Sequence, residues 1–345
     1  MKESVGETVH ERITSSYDVV VIGGGAAGLS AALALGRARR TVLVIDAGAP
    51  RNAAAGHVHN YLGREGTAPG DLLAVGRAEV AGYGGDIVTG TVASVDRLDG
   101  SGNEPADGAR FRAVLADGRS VLARRLLVTT GLVDELPDVP GLAERWGRDV
   151  LHCPYCHGWE VRDQAIGVLA NGAMGVHQAL LFRQWSPDLT LFQHTAPVPS
   201  DDELEQLAAR GISVVEGEVA AVEVTDDRLT GVRLRSGEVI PRRALVVAPR
   251  FTARVEVLTA LGLEPTEMLF GDHVMGTYLA ADPAGVTTVP GVWVAGNVAD
   301  LRAQVIGAAA AGLNTGAAIN ADLIAEDTAE AVAAYRTRRV QAVRA

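Results

Sequence analysis

The 345-residue sequence predicts an α/β protein made of two three-layer units, the second inserted in the first. Three observations support this prediction. A strand, a glycine-rich turn and a helix are indicated at residues 17–37, YDVVVIGGGAAGLSAALALGR. A similar segment, AIGVLANGAMGVHQALLF, occupies residues 165–182. A third buried strand with a glycine at its end, GVWVAGNV at residues 291–298, indicates that the chain returns to the first unit.

Composition excludes several classes of protein. Hydrophobic residues make up 48% and charged residues 21% of the chain, which is ordinary for a globular protein. A net charge of −11 argues against nucleic acid or an anionic membrane as a partner. Residues 1–16 have no apolar core, so we expect a flexible tail, no secretory signal and a cytoplasmic protein. The glycines and the change of period in the apolar run at residues 19–36 favour a strand, a turn and a helix over a membrane span.

The first glycine-rich turn has the spacing of a dinucleotide-binding site. Gly23, Gly25 and Gly28 form G-x-G-x-x-G between a predicted strand and a predicted helix. In this pattern the first glycine allows a tight turn, the second lets a pyrophosphate approach the backbone, and the third lets the helix pack on the strand. The next strand, TVLVID, ends at Asp46, where a carboxylate can accept hydrogen bonds from ribose hydroxyls. The pattern with both flanks predicts dinucleotide binding rather than a plain buried turn.

A looser internal repeat sets the domain limits. Residues 111–131, FRAVLADGRSVLARRLLVTTG, resemble residues 231–249, GVRLRSGEVIPRRALVVAP, and each indicates a strand, a turn, a strand, a basic pair and a buried strand. Each follows a strand–helix–strand segment, which indicates two related nucleotide-binding units. Pro, Gly and Arg interrupt the apolar runs at the two crossings. We therefore expect residues 17–131 and 251–345 to form one domain and residues 132–250 the inserted one.

Both cysteines of the chain, Cys153 and Cys156, lie in LHCPYCHGWE and are followed directly by His157. C-x-x-C-H occurs in haem c attachment sites, in zinc sites and in redox dithiols. Haem c attachment belongs to exported proteins, and zinc needs two further ligands, for which His152 and His157 flank the cysteines too tightly. We therefore expect a redox dithiol and no metal. Pro154 suits the first turn of a helix, whose dipole would stabilise a thiolate near its start.

Taken in this order, the segments resemble the low-molecular-weight thioredoxin reductase family over about residues 17–325. The resemblance rests on IGGGAAG, on VTTGL at the first crossing, on the C-x-x-C that opens the central domain and on VWVAGNV. It implies two Rossmann-like three-layer nucleotide-binding domains, an FAD cofactor and a homodimer. The residues that would hold FAD are Gly23, Gly25, Ala26, Ala27, Gly28, Asp46, Ala47, Arg51, Asn52, Thr130, Gly131, Gly296, Asn297, Gln304 and Val305.

Three departures from the NADPH-dependent members stand out. The second fingerprint, ANGAMG, has Ala170 where the first glycine belongs. The strand after it ends in QHT at residues 193–195 and is followed by acids at 201–203, where those relatives carry a basic cluster for the 2′-phosphate. His157 follows the second cysteine, where bacterial reductases typically have Asp. In addition, Asn297 stands where the family usually has an Asp that contacts the ribityl chain.

The departures resemble those of flavin-dependent dithiol oxidases, which close the disulfides of gliotoxin, holomycin and romidepsin. This resemblance implies oxidation of a small dithiol to a cyclic disulfide, with electrons passing through FAD to O2 to give H2O2. Cys153 would exchange with the substrate and Cys156 would lie next to the flavin. His157 would act as a base or merely pack, and His152 is a second candidate. The alternatives are an NADPH-dependent thioredoxin-disulfide reductase and a flavin-bearing sensor without turnover.

A histidine-containing segment, GHVHNYLGREG at residues 56–66, is predicted to be a loop near the flavin. His57, His59 and Asn60 either shape the pocket or lie in a solvated loop. Arg51 and Asn52 could hold the adenosine part of FAD. The small residues after VWVAGN predict a helix that either starts at the flavin or packs in the ordinary way.

Overall fold

The computed structural model describes residues 15–98, 108–271 and 273–344, so the predicted tail at residues 1–16 lies outside the described residues except for its last two. The helices in these ranges are α1 (Ala26–Arg37), α2 (Pro69–Gly82), α3 (Pro154–His157), α4 (Gly175–Phe182), α5 (Asp201–Ala209) and α6 (Val305–Arg344). The strands up to the first crossing are β1 (Ser16–Ile22), β2 (Val42–Asp46), β3 (Asp86–Thr89), β4 (Val92–Arg97), β5 (Phe111–Leu115), β6 (Ser120–Val128) and β7 (Leu132–Glu135). The strands of the central part are β8 (Val150–Leu151), β9 (Ile166–Leu169), β10 (Leu189–Phe192), β11 (Ser213–Val215), β12 (Val219–Thr225), β13 (Arg228–Leu234), β14 (Val239–Pro241) and β15 (Ala244–Val247). The remaining strands are β16 (Arg250–Ala253), β17 (Thr266–Phe270), β18 (His273–Tyr278) and β19 (Val292–Val294).

The first sheet combines strands from an early and a late segment of the chain. It contains the parallel strands β3-β2-β1-β6, and β6 also pairs with β5 near its start and with β19 near its end. Ile22 is in register with Ile45 on one side and with Val128 on the other. The carboxyl ends of three neighbouring strands therefore lie at one edge, which is where ligands bind in open parallel sheets.

Alternate residues of β1 build the two cores of this unit. Val19 and Val21 pack with α1, α2 and α6, whereas Val20 and Ile22 pack with the antiparallel strands on the opposite face. All four side chains are buried, and burying a Val or Ile stabilises the fold by about 1.5–3 kcal/mol. Because both faces are covered, the strand is apolar throughout.

The small residues of α6 have a packing role. An added Cβ at Gly312 would overlap the carbonyl of Ala27, and one at Gly316 would lie 3.0 Å from the carbonyl oxygen of Ala31. Glycine at these two positions therefore lets α6 lie directly on α1. Further along, the Arg125 guanidinium donates to Asp322, at 2.6 Å, and to Glu326, which ties α6 to β6.

The central unit has the same three-layer arrangement as the first unit but differs in one strand. Its parallel sheet, β11-β10-β9-β15-β8, has α4 and α5 on one face and the antiparallel sheet β12-β13-β14 on the other. In the first unit β6 runs unbroken through the basic pair, whereas the equivalent segment of the central unit divides into β14 and β15. The predicted fold, two Rossmann-like three-layer units with one inserted in the other, is confirmed.

The two chain crossings pair with each other. β7 and β16 are antiparallel, from Leu132 opposite Ala253 to Glu135 opposite Arg250, and β17 and β18 complete a four-stranded sheet. We propose that these paired strands mark the limits of the discontinuous domain, 17–131 with 251–345, and of the inserted domain, 132–250. The apolar run at residues 19–36 divides into β1 and α1, and within the described ranges no helix is long and apolar enough to cross a membrane.

Candidate active site

One cavity of about 870 Å3 is lined by residues of both units. Every residue expected to hold FAD lines this cavity except Gly28, and so do Cys153, Cys156 and His157. Two sites that the sequence suggested separately, the glycine turn and the dithiol, therefore share one space. Within the described residues, no three His, Cys, Asp or Glu side chains are grouped as metal ligands.

The first fingerprint has the geometry that its spacing predicts. Gly23 has a φ of +110°, and an added Cβ there would lie 2.5 Å from the carbonyl oxygen of Thr129. A Cβ at Gly28 would overlap the Gly23 carbonyl, so the third glycine serves helix packing. Gly25 precedes α1 without a side-chain cap, and an added Cβ there has no neighbour within 4 Å. The open space above Gly25 is therefore available to a ligand, and the helix N-terminus favours an anionic one.

Gly25 borders open space whereas Gly28 is packed against protein, so alanine at each position gives a matched pair of variants. We expect Gly25→Ala to fold with an unchanged melting temperature but to bind FAD at least about tenfold more weakly, because its methyl group enters the cavity. Gly28→Ala should lose about 1–3 kcal/mol of stability through overpacking. Thermal melts and FAD titration would distinguish the two effects. Equal losses of stability in both variants would contradict the assignment of Gly25 to the ligand.

Asp46 has a partner that the sequence did not indicate. Its Oδ2 accepts a hydrogen bond from Arg77 Nη2 of α2 at 2.8 Å, and the carboxylate lines the cavity. This leaves Oδ1 for ribose hydroxyls, and the contact of Asp46 with ribose stays a prediction. Arg77 holds the carboxylate in place at the end of β2.

Arg51 is engaged by protein groups. Its Nε and Nη2 donate to the two carboxylate oxygens of Asp134 at 2.8 and 2.6 Å, and its Nη1 donates to Asn297 Oδ1 at 3.2 Å. Asn297 Nδ2 in turn donates to the carbonyl oxygens of Asp300 and Ala303 at 3.0 and 2.9 Å. A carboxylate at position 297 would face these two carbonyl oxygens, so the loop suits Asn. Arg51 links this loop to β7, and its predicted role at the adenosine stays untested.

The remaining residues expected around FAD lie at the ends of backbone elements. Thr130 Oγ1 donates to the Arg254 carbonyl at 2.5 Å, and Gly131 has a φ of +73°. These contacts join the first crossing to the second. At the far wall α6 begins at Val305, and the Ala308 N–H donates to the Gln304 carbonyl at 2.8 Å. The helix start therefore faces the cavity while its later turns pack on α1.

The two cysteines form a disulfide with a Cα–Cα distance of 5.2 Å. The predicted helix exists as α3 but is one turn long, so its macrodipole is small compared with that of a long helix. A local donor is present instead, since the Cys156 backbone N–H lies 3.1 Å from Cys153 Sγ. This N–H is placed to stabilise negative charge on the Cys153 sulfur.

His157 ends α3 and lines the cavity. Burial lowers the pKa of its imidazole, while the Glu160 carboxylate raises that pKa and His59 lowers it. Because burial has the largest effect, the ring stays neutral to lower pH than an exposed histidine. A neutral imidazole beside a disulfide can accept a proton from an incoming thiol.

The histidine loop contacts the dithiol motif directly. His57 and His59 line the cavity, and His59 lies 2.6 Å from Glu65 and 3.4 Å from Glu160. Asn60 Nδ2 donates to the Tyr155 carbonyl, inside the C-x-x-C, at 2.5 Å. Of the two interpretations, the pocket fits His59, which is half-buried, whereas His57 lines the cavity from an exposed position and Asn60 is exposed outside the cavity lining.

His152 precedes Cys153 and is half-buried. Its Nδ1 is 3.1 Å from the Val247 carbonyl oxygen at the end of β15, and its ring meets that of Phe251 edge-on with centroids 5.2 Å apart. Burial lowers the pKa of this imidazole. His152 therefore combines a fixed orientation with a position on the cavity wall.

The second fingerprint is covered by the hairpin of β17 and β18. A Cβ at Gly172 would lie 2.8 Å from His273 Cε1, and the rings of Phe270 and His177 have centroids 6.3 Å apart. In the described residues Ala170 is not among those with positive φ, unlike the equivalent Gly23. The turn that would approach a pyrophosphate therefore differs in backbone shape and is in contact with protein.

At the predicted 2′-phosphate position, the Arg235 guanidinium acts on His194 but is paired with Glu218 at 2.7 Å. His194 Nδ1 accepts a hydrogen bond from the Val219 N–H at 3.1 Å, and burial lowers the pKa of its imidazole, which favours the neutral ring. Ser200 and Glu203 form a capping box that starts α5 with three acids in its first turn. These acids favour the helix N-terminus and repel a phosphate.

Sequence reasoning missed the residues that come from far along the chain. Asp134, Phe251 and His273 reach the cavity from the crossings and from the hairpin, and none of them is part of a motif identified in the sequence. Asp134 follows VTTGL closely, and an acid at a crossing was the one signal that could have drawn attention to it.

Residues 17–316 match the family described as pyridine nucleotide-disulphide oxidoreductase. The chain belongs to this family. The match extends over most of the chain and contains both fingerprints and the dithiol, so the protein is an oxidoreductase of the thioredoxin reductase-like type. The family resemblance inferred from the sequence is confirmed. Enzymes of this family are flavoproteins that generally bind FAD.

Similar proteins agree with this assignment. The chain is 31% identical to thioredoxin reductase sirT of Leptosphaeria maculans, covering 91% of this chain and 97% of that one. It is 29% identical to thioredoxin reductase aclD of Aspergillus oryzae, covering 81% and 88%. The crystal structure of HlmI is 48% identical, covers 96% of this chain and 99% of its own, and superposes with a TM-score of 0.84.

Proposed function

We propose that this protein is an FAD-dependent dithiol oxidase that converts a small-molecule dithiol to a cyclic disulfide through Cys153 and Cys156, with O2 as final acceptor. The observation that carries the proposal is the covered second fingerprint. His273 lies against Gly172, where a nicotinamide dinucleotide would need close approach to the backbone. Burial favours the neutral form of His194, and the acids of α5 repel a phosphate, so both disfavour NADPH as the electron donor.

The chain's own residues account for the exchange chemistry. A substrate thiol loses its proton to neutral His157, and the thiolate attacks Cys153 Sγ. The Cys153–Cys156 bond breaks, and a mixed disulfide forms. The second substrate thiolate attacks the substrate sulfur of that link, closing the cyclic disulfide and expelling Cys153 as a thiolate. The Cys156 N–H, 3.1 Å from that sulfur, stabilises the departing charge.

The substrate loses two electrons and two protons, and the cysteine pair gains the two electrons. FAD in this cavity would supply an acceptor for the two electrons and a route to O2, which would be reduced to H2O2. The open space at Gly25 fits the diphosphate of FAD, and Asp46 would hold a ribose. Asn297, Gln304 and Val305 would hold the end of FAD that lies towards the dithiol.

The setting of the reaction follows from the relatives. The similarity to sirT, aclD and HlmI supports a role in making or guarding a disulfide-containing natural product. We further propose a cytoplasmic homodimer, as the family resemblance implies.

A direct test mixes the FAD-loaded protein anaerobically with NADPH and then with dithiothreitol. We expect the flavin absorbance near 450 nm to persist with NADPH, because the covered second fingerprint and the acids of α5 disfavour its binding, and to bleach with the dithiol. Admission of air should restore the absorbance with one H2O2 per dithiol oxidised.

The dithiol arm is the control, because it shows that the flavin of the same sample can be reduced. Rapid bleaching by NADPH at micromolar concentration would overturn the oxidase and favour the reductase. Bleaching by neither reagent would favour the sensor.

A further inference from the structure

Oxidation of a dithiol releases two protons in sequence, and one imidazole cannot hold both. After the first thiol has been deprotonated, His157 carries a proton until it is released. We propose that His152 accepts the proton of the second substrate thiol, so that the imidazoles that precede and follow the C-x-x-C in the sequence serve the two thiols in turn. This inference rests on the proposed function.

The orientation of His152 fixes which nitrogen can act. A carbonyl oxygen only accepts, so Nδ1, 3.1 Å from the Val247 oxygen, carries the hydrogen when the ring is neutral. Nε2 then has a free lone pair, and within the described residues no side chain donates to it. An oriented imidazole with a free nitrogen on the cavity wall is the arrangement of a general base.

Gln178 of α4 also lies against this side of the ring. Its Nε2 is 3.3 Å from His152 Nδ1, and its Oε1 is buried without a partner in the described structure. The Val247 carbonyl oxygen is closer to Nδ1, at 3.1 Å, and can only accept, so it determines the tautomer.

Burial favours the neutral form of His152. Burial has the largest effect and lowers the pKa, Arg51 lowers it too, and the Val247 carbonyl and Asp134 raise it. Asp134 and Arg51 form an ion pair with each other, which limits the influence of either charge. From α4, His177 and Gln178 face the same cavity, and Phe251 covers the ring from β16.

The position of His152 suits the second step. The second thiol reacts at the sulfur joined to Cys153, and His152 is the residue directly before Cys153. His157 follows Cys156, the sulfur released in the first step. The two histidines therefore flank the two sulfurs that successively leave.

The test is anaerobic quenched flow with His152→Asn, since Asn keeps a donor for the Val247 carbonyl and has no base. The disulfide-containing protein is mixed with dithiothreitol or with 2-mercaptoethanol and quenched in acid, and the masses of the protein and its adduct are measured by mass spectrometry. We expect both thiols to form the mixed disulfide within about threefold of the wild-type rate. Release of oxidised dithiothreitol should slow about a hundredfold at neutral pH, and the adduct should accumulate. Release should recover as pH rises toward the thiol pKa, about 8.5.

A merely structural His152 would show no such recovery with pH and no accumulation of adduct. Release at the wild-type rate, or slowing of adduct formation instead, would overturn the proposal. His152→Gln is a second variant if Asn lowers the melting temperature. The proposed function fails separately, if the wild-type disulfide does not exchange with dithiothreitol or the aerobic protein makes no H2O2.

Discussion

Cys153→Ser should abolish dithiol turnover, with a loss of at least about a thousandfold, because the sulfur that the substrate attacks is gone. Cys156→Ser should lose turnover to the same extent, since no second sulfur remains to receive the electrons. The two variants should differ in what they trap. Offered a small aromatic disulfide, the free Cys153 of Cys156→Ser displaces one thiol and keeps the other half as a mixed disulfide. Cys153→Ser should trap little, because the family resemblance implies that Cys156 would lie next to the flavin and away from the substrate.

Mass spectrometry of the two variants measures this difference, and absorbance of the released thiol gives its rate. The double Cys153→Ser, Cys156→Ser protein is the background, and thermal melts check that each variant folds. Both cysteines are half-buried, so exposure alone does not assign their roles. The assignment rests on the family resemblance and on the Cys156 N–H that points at Cys153 Sγ. An adduct on Cys153→Ser and none on Cys156→Ser would reverse the roles.

The parts of this protein that the sequence predicts are those in which neighbouring residues determine the structure. The glycine spacing at 23, 25 and 28 fixes a turn whose shape depends on the backbone alone, and the structure has it. The alternation in β1 distributes its side chains to two covered faces, which only a three-layer unit provides. Fold class follows from such local rules.

The features that the sequence does not predict depend on contacts between distant segments of the chain. His273 reaches Gly172 from a hairpin a hundred residues later, and no local pattern predicts that packing. The basic pair in the repeat indicated a break between strands, yet β6 continues through Arg124 and Arg125 because α6 supplies carboxylates to both guanidinium groups. The tautomer of His152 likewise depends on the Val247 carbonyl, which folding alone brings to it.

His157→Ala should retain FAD and the fold, yet form the mixed disulfide about a hundredfold more slowly at neutral pH, because a positioned base is lost. Substrate thiols have a pKa of about 8.5, so few are ionised at pH 7 without help. The rate of the variant should rise with pH toward that value. In the wild type the base form of His157 predominates above its own pKa, which burial lowers below that of an exposed histidine. The wild-type rate should therefore rise through that lowered pKa and then level off.

Glu160 offers the matched control, since its carboxylate raises the pKa of His157 without adjoining the sulfurs in sequence. Glu160→Gln removes this influence, so the pKa of His157 falls further. The rising limb of the pH–rate profile should then move to lower pH, while His157→Ala loses that limb altogether. If His157 only packs or caps α3, both variants should keep the rising limb of the wild-type pH–rate profile. A His157→Ala protein with the wild-type profile would exclude His157 as the first base, because the ionisation that sets the limb would then belong to another group.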